Sequence, residues 1–220
     1  MKAFVAGATG QTGRRVVKQL VERGIPVRAM ARDRQKAASV LPSEAEIVVG
    51  DVLQPQSLKE AIADSTVLFC ATGAAPSFNV LGPFQVDYQG TKNLVDVAKE
   101  CNLEHFVMVS SLCTSKLFHP LNLFWLILLW KKQGEQYLQQ SGLTYTIVRP
   151  GGLKNEENDD KIVMAAADTL FEGSLPRSKV AQVCIEALFA PDAQNKIVEI
   201  VANPTAPERS FTELFASVTA

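Results

Sequence analysis

The sequence lacks the features that would mark a nucleic-acid binder, a metal protein or a membrane span. Its 22 basic and 23 acidic side chains leave a net charge of −1, so no broad cationic face is available for a phosphodiester backbone. Basic residues gather only locally, at Arg28–Lys36. It has two histidines and four cysteines. Cys70, Cys101, Cys113 and Cys184 lie far apart without a Cys-x-x-Cys pair, which argues against a metal site or a redox dithiol and leaves small buried thiols of a reducing compartment. The longest apolar run, Leu117–Trp130, has fourteen residues and contains His119, Pro120 and Asn122, short of the roughly 20 that cross a bilayer. With 47% hydrophobic and 20% charged residues over 220 positions, one compact domain spanning 1–220 is expected, with no disordered linker. A strand starts almost at once, which leaves no room for a leader peptide, so a cytoplasmic protein is expected.

What is present begins at the N-terminus. Lys2–Ala6 reads as a short buried strand, Gly7, Gly10 and Gly13 follow, and Arg14–Arg23 has the apolar spacing of a helix. Strand, glycines and helix in that order form a phosphate-binding turn. Gly7 allows the sharp reversal, Gly10 lets backbone approach a pyrophosphate, and Gly13 lets the helix pack on the sheet. Thr9, Gln11 and Thr12 lie between the glycines, where free N–H groups and the helix dipole face an anion. Pro26–Ala31 alternates like a second strand and ends at Arg32, where an NAD site would carry an acidic residue for the ribose 2′-hydroxyl. A guanidinium there suits a 2′-phosphate and points to NADP(H), although Asp33 dissents and the run Arg32–Lys36 also reads as a solvated helix start.

Further strands are expected at Ile47–Val49, Val67–Cys70, Phe106–Val109, Thr146–Val148 and Ile197–Val201, alternating with helices at Pro83–Glu100, Gln182–Phe189 and Phe211–Val218. The pattern predicts an α/β, doubly wound Rossmann domain: about seven mainly parallel strands with helices on both faces. Asp51 and Val52, after the third strand, would border an adenine, with a helix cap as the other role open to Asp51. Ala71, Thr72 and Gly73 continue the fourth strand as small residues past which ribose and phosphate can lie. Ser110 and Ser111 end the fifth strand, and Pro150 and Gly151 end the sixth, on the side where ligands bind.

Six stretches, Gly7–Gly13, Val27–Arg32, Gly50-Asp51, Val86–Leu94, Val109–Ser111 and Tyr145–Gly152, keep the order of the atypical, NmrA-like short-chain dehydrogenase/reductases, which the chain resembles. The resemblance extends to a plant and cyanobacterial branch that includes a chloroplast protein docking ferredoxin–NADP reductase. It implies a helix-borne Tyr and a Lys four residues later, the Lys holding the nicotinamide ribose and a Ser orienting the acceptor. Lys131 matches that lysine, because Lys131 and Glu135 reproduce the family's Lys-x-x-x-Glu step before Ser141, and Ser111 matches the serine. Position 127, where the tyrosine belongs, is isoleucine. Tyr137 is set to face away from Lys131, Tyr88 reads as a packing residue, and His119 as a loop histidine.

The resemblance thus implies an NADP(H)-dependent oxidoreductase acting on a small apolar acceptor without the usual proton donor, or a non-catalytic NADPH sensor that docks a protein partner or photosynthetic membrane. Leu117–Trp130 is apolar on every helical face, which suits a helix buried against a second subunit or other protein partner, the wall of an apolar pocket, or peripheral contact with a membrane surface. From about residue 151 a small substrate-side portion is expected, opening with the acidic run Asn155–Asp160 as a solvated loop or a mobile lid.

Overall fold

The computed structural model describes residues 1–74, 79–116, 118–123 and 125–219. The N-terminal half is built of strand–helix units: β1 (Ala3–Ala6), α1 (Gly13–Glu22), β2 (Val27–Ala31), α2 (Arg34–Ala38), β3 (Glu46–Val49), α3 (Pro55–Ile62) and β4 (Val67–Cys70). A π-helical turn over Phe84–Gly90 then runs directly into α4 (Thr91–Glu100), followed by β5 (His105–Val109), α5 (Ile127–Gln139) and β6 (Tyr145–Pro150). The C-terminal part adds β7 (Gly152–Lys154), β8 (Lys161–Ala166), β9 (Ser174–Pro176), α6 (Arg177–Glu186), β10 (Lys196–Asn203) and α7 (Phe211–Ala216).

The main sheet has eight strands in the order β3-β2-β1-β4-β5-β6-β10-β8, and β7 pairs with β9 in a separate two-stranded sheet. All pairings in the main sheet are parallel except β10 with β8. The chain leaves β1 for β2 on one side and returns to β4 on the other, so a crevice opens at the carboxyl ends of β1 and β4. β1 and β4 are buried along their whole length, as a parallel strand covered on both faces must be. One face packs Val16, Val17 and Leu20 of α1 with Val180 and Cys184 of α6 and Phe215 of α7. The other packs Leu58 and Ile62 of α3 with Leu94 and Ala98 of α4 and Leu138 of α5.

Two expectations are corrected. The sheet gains β8, an edge strand whose residues are mostly half-buried, and so shows no clean apolar period. Leu117–Trp130 is not one buried helix: Pro120–Leu123 is a single 3₁₀ turn, Trp125 and Leu126 both have positive φ (58° and 59°), and α5 starts only at Ile127. Asn122 Oδ1 accepts from Leu128 N at 3.0 Å, satisfying a helix-end donor that a helix continuous through 122–128 would have used internally. Phe118 and Leu123 are 98% and 82% exposed. Leu117 and Phe124 lie outside the described residues.

Candidate functional site

The crevice holds a cavity of about 450 Å³. Gly7, Thr9, Gly10, Arg32, Asp51, Val52, Ala71, Thr72 and Gly73 of the sequence-derived set all line it, together with Met30, Gln85 and Val86. Gly7 turns the chain at φ +79°, and a Cβ there would lie 2.5 Å from the carbonyl oxygen of Ala71 at the end of β4. A Cβ on Gly13 would lie 2.2 Å from the Gly7 carbonyl oxygen. Those two glycines close the turn against the sheet, whereas a Cβ on Gly10 would meet only the Gly7 carbonyl, at 3.2 Å, and otherwise open space. Among the described residues the amides of Gln11, Thr12 and Gly13 have no backbone acceptor. Gln11, Thr12 and Gly13 do not line the cavity themselves; their unfilled amides lie at the helix start beside Gly7, Thr9 and Gly10, which do, and a turn of this kind fits a diphosphate.

The adenine side is equally specific. Arg32 lines the cavity at the end of β2 and has no hydrogen-bond or ion-pair partner among the described residues. Asp33 is already engaged as the cap of α2, accepting from Lys36 N at 3.0 Å. Asp51 Oδ1 accepts from Leu53 N at 2.9 Å, an Asx turn that shapes the loop after β3. Val52 is held by Asn93 Nδ2, which donates to its carbonyl at 2.9 Å.

Lys131 does not line this cavity but stands behind its wall. Its ammonium lies 2.8 Å from Asp87 Oδ1, with the two side chains 13% and 1% exposed, and a Cβ on Gly73 would lie 3.8 Å from that oxygen and 3.9 Å from Lys131 Nζ. Burial is the largest single influence and works against the ammonium, but the charge and close polar contact of Asp87, with smaller help from Cys70 and Glu135, together raise the Lys131 pKa above its ordinary value. Asp87 Oδ2 accepts from Ala74 N at 3.2 Å. The ammonium meets Oδ1 outside the angles of a directed hydrogen bond, leaving that oxygen an electrostatic partner but no aligned donor. Asp87 sits on the π-helical turn, inside the Val86–Leu94 stretch that carries part of the family resemblance, but the sequence alone assigns it no role.

Every tyrosine is committed elsewhere. Tyr88 packs with Phe84 and Trp130, Tyr137 donates to Asp96 Oδ1 at 2.6 Å, and Tyr145 opens β6 at the end of the sheet away from the crevice. Ile127 packs against the apolar cluster of Leu112, Cys113, Leu128 and Val201. His119 accepts from Leu121 N at 3.2 Å, and His105 is buried at the start of β5. Ser111 is half-buried at the end of β5, while its neighbour Ser110 has a buried hydroxyl without a partner.

Pro150 and Gly151, expected beside the cofactor, do not line this cavity, and Gly151 has a packing role. Gly151 N donates to Ile200 O at 2.9 Å, and a Cβ on Gly151 would lie 2.6 Å from the Gly173 carbonyl. The preceding Arg149 is buried and pairs with both Glu135 oxygens (Nε to Oε1 3.0 Å, Nη2 to Oε2 2.7 Å), with Asp168 Oδ1 at 2.9 Å and with Glu199 Oε1 at 3.4 Å. Burial alone would lower its pKa, but these carboxylates, Glu135 foremost, raise it. The acidic run is strapped down: Arg15 Nη2 donates to Asn155 O at 3.4 Å, Arg177 Nη1 donates to Asn155 Oδ1 at 3.0 Å, and the Ser178 hydroxyl donates to Glu157.

The sequence profile of the NAD(P)H-binding family matches residues 7–191. The chain belongs to that family. An uncharacterised chloroplast protein of Arabidopsis thaliana is 47% identical over 230 residues, covering 99% of this chain and 82% of that protein. Sanguinarine reductase of Eschscholzia californica is 30% identical over 264 residues, covering 100% and 96%. Among solved structures, a protein assigned as an NAD-dependent epimerase/dehydratase from Bacillus halodurans superposes with a TM-score of 0.87 at 26% identity, covering 98% and 99%. The chloroplast TIC 62 proteins of three plants also match, and the chain spans less than half of their length. This is the atypical short-chain dehydrogenase/reductase, NmrA-like grouping anticipated from the motifs, with plastid proteins prominent among its relatives. Among the described residues no helix is long and apolar enough to cross a membrane.

Proposed function

We propose that this chain binds NADP(H) in preference to NAD(H) and reduces a small, mainly apolar acceptor, such as a quinone or an enone, that takes its proton from solvent. The observation that carries the reading is the pairing of an intact diphosphate cradle and a charged Lys131 with an apolar Ile127. The Gln11, Thr12 and Gly13 amides and the bare backbone of Gly10 would hold the diphosphate, Arg32 the 2′-phosphate, Asp51 and Val52 the adenine, and Lys131 the nicotinamide ribose. When bound, the reduced nicotinamide supplies a hydride. Lys131, held by Asp87, would donate to the ribose at that end of the crevice, and Ser111 would donate a hydrogen bond to an acceptor oxygen.

Tyr137 is engaged with Asp96, Tyr145 starts its strand at the far end of the sheet, and the thiols of Cys70 and Cys113 are pushed up by burial. That supports acceptors whose reduced anion is stable enough to wait for a solvent proton. The naming of one relative as a reductase supports the same class of reaction. Calorimetric titration tests the cofactor: NADPH binds more tightly than NADH, and Arg32→Ala weakens NADPH about ten- to a hundredfold while leaving NADH unchanged. Equal affinity for both coenzymes in the wild type removes Arg32 from the reading. Following NADPH oxidation across quinones, enones and simple ketones tests the chemistry, with turnover on the first two and loss of turnover in Lys131→Ala.

A second reading, a cofactor-sensing docking protein, is favoured by the exposure of Phe118 and Leu123 and by the TIC 62 relatives. In that case the segment 118–126 meets a protein partner, a second copy or a membrane surface. NADPH binding without turnover on any acceptor favours it over the first.

A further inference from the structure

The buried pair Asp87–Lys131 is more elaborately built than an incidental ion pair. Its carboxylate is carried on a π-helical turn, a distortion that costs helix hydrogen bonding and recurs at functional positions. Two glycines make the approach of neighbouring elements to that turn possible. A Cβ on Gly134 of α5 would lie 2.8 Å from the Asp87 carbonyl oxygen, and a Cβ on Gly90 would lie 2.7 Å from Val52 Cγ2. Gly134 follows Lys131 by three positions and so shares its face of α5. The helix is thus brought close enough for the lysine to reach the carboxylate. Thr91 Oγ1 donates to the same Asp87 carbonyl at 2.9 Å, holding the turn.

Asp87 also reaches the other way. Through Oδ2 it accepts from the Ala74 amide, on the segment that continues from β4 past Thr72 and Gly73, two residues lining the cavity. One carboxylate thereby joins α5, the π-helical turn and the crevice wall.

We propose that Asp87 is a positioning residue for the nicotinamide half of the cofactor, its buried carboxylate aiming the Lys131 ammonium at the crevice past Gly73 and fixing the 71–74 wall in the same contact. The role rests on the cofactor reading above. Asp87 touches no part of the crevice that a ligand would occupy. It acts through Lys131 and Ala74. The 2.8 Å contact with Oδ1 holds the ammonium beside Gly73, and of the three N–H groups it carries the others can turn toward a sugar hydroxyl.

A double-mutant cycle on the whole chain tests this, read by NADPH dissociation constants from calorimetry and by thermal unfolding of the unliganded protein. Asp87→Asn is expected to weaken NADPH about tenfold in the wild-type background and by less than twofold in a Lys131→Met background. It is also expected to weaken NADPH more at pH 9 than at pH 6.5, because burial then lowers the lysine's pKa against only the weaker influences of Cys70 and Glu135. Should Asp87→Asn alone prove unstable, Lys131→Met is compared with the double variant, which removes both charges together: equal NADPH affinity is expected, and a further tenfold loss overturns the proposal. Equal weakening in both backgrounds, or Asp87→Asn binding NADPH as the wild type does at both pH values, overturns the proposal. A wild type that does not respond to NADPH overturns the cofactor reading beneath it, and the two failures are told apart by that control.

Discussion

Lowering the pH should expose a histidine that contributes nothing to the site. His105 opens β5 and is buried, and its pKa is pushed down from 6.5 to about 4 by loss of solvent. Its Nε2 lies 2.9 Å from Thr146 Oγ1 on β6, and that hydroxyl donates to the Ala193 carbonyl at 2.7 Å. With the hydroxyl proton spent on Ala193, the imidazole must donate from Nε2. That tautomer keeps Nδ1 as a bare acceptor, and a second proton would have to be placed there in an apolar setting.

The sign follows from where protons bind. Above pH 6.5 the imidazole is neutral in both the folded and unfolded chain, and it costs nothing. Between pH 6.5 and about 4 the unfolded chain takes up a proton that the folded one refuses, so stability falls as pH falls. For the full shift the loss is about 3 kcal/mol, with about 2 kcal/mol already gone at pH 5. Urea unfolding at half-unit steps from pH 7.5 to 5 measures it, compared with His105→Gln, whose amide can donate to Thr146 but does not titrate. The wild-type curve should fall more steeply by about that 2 kcal/mol. Parallel curves for the two proteins refute the reasoning, since carboxylates common to both would then account for the whole slope.

Two other substitutions probe the framework of the site. Gly134→Ala should gain about 1 kcal/mol of helix propensity yet lower the melting temperature and weaken NADPH, because its Cβ would sit 2.8 Å from the Asp87 carbonyl and force α5 away from the turn; a melting temperature above wild type contradicts this. Glu199→Gln should cost about 3 kcal/mol or more in denaturant unfolding, because both Glu199 oxygens accept from backbone amides (Asp168 at 2.9 Å, Thr169 at 3.0 Å, Leu170 at 2.7 Å) and an NH₂ group cannot replace either; a loss below 1 kcal/mol shows that the turn re-forms around the amide.

The first half of the fold was legible because local chemistry and tertiary placement agree there. Gly7, Gly10 and Gly13 each have the separate steric reason that a strand-to-helix turn demands, and Arg32, Asp51, Val52 and Ala71–Gly73 all reach the same cavity because each ends a neighbouring parallel strand. The tyrosine missing from position 127 was equally visible. What stayed hidden depends on partners distant in sequence. β8 is half-buried along most of its length and is defined by its antiparallel pairing with β10. Gly151 looked like a ligand-side glycine but is required by Gly173, 22 positions on. The apolar stretch 117–130 suggested a helix turned to a partner, a pocket or a membrane surface, yet the left-handed backbone at Trp125 and Leu126 breaks any continuous helix, and in this chain by itself Phe118 and Leu123 are exposed. Asp87 escaped notice because an acidic residue on a helix normally means a solvated face, and only the approach of α5 makes it a buried one.

The turn over Phe84–Gly90 gives the long segment up to Glu100 two rotational phases. A π-helical stretch carries one residue more than an α-helix would need, so residues before it are offset by about 100° from where the pattern of α4 would put them. The α4 residues Leu94 and Ala98 can therefore answer to the sheet while Asp87 answers to Lys131. Deleting Gln89, between Asp87 and α4, would merge the phases, swing the carboxylate off its lysine and leave Asp87 and Lys131 both present. The arrangement is thus fixed by a spacing as much as by residue identity, and a relative with the same motifs but one residue fewer in this stretch would carry a differently aimed lysine.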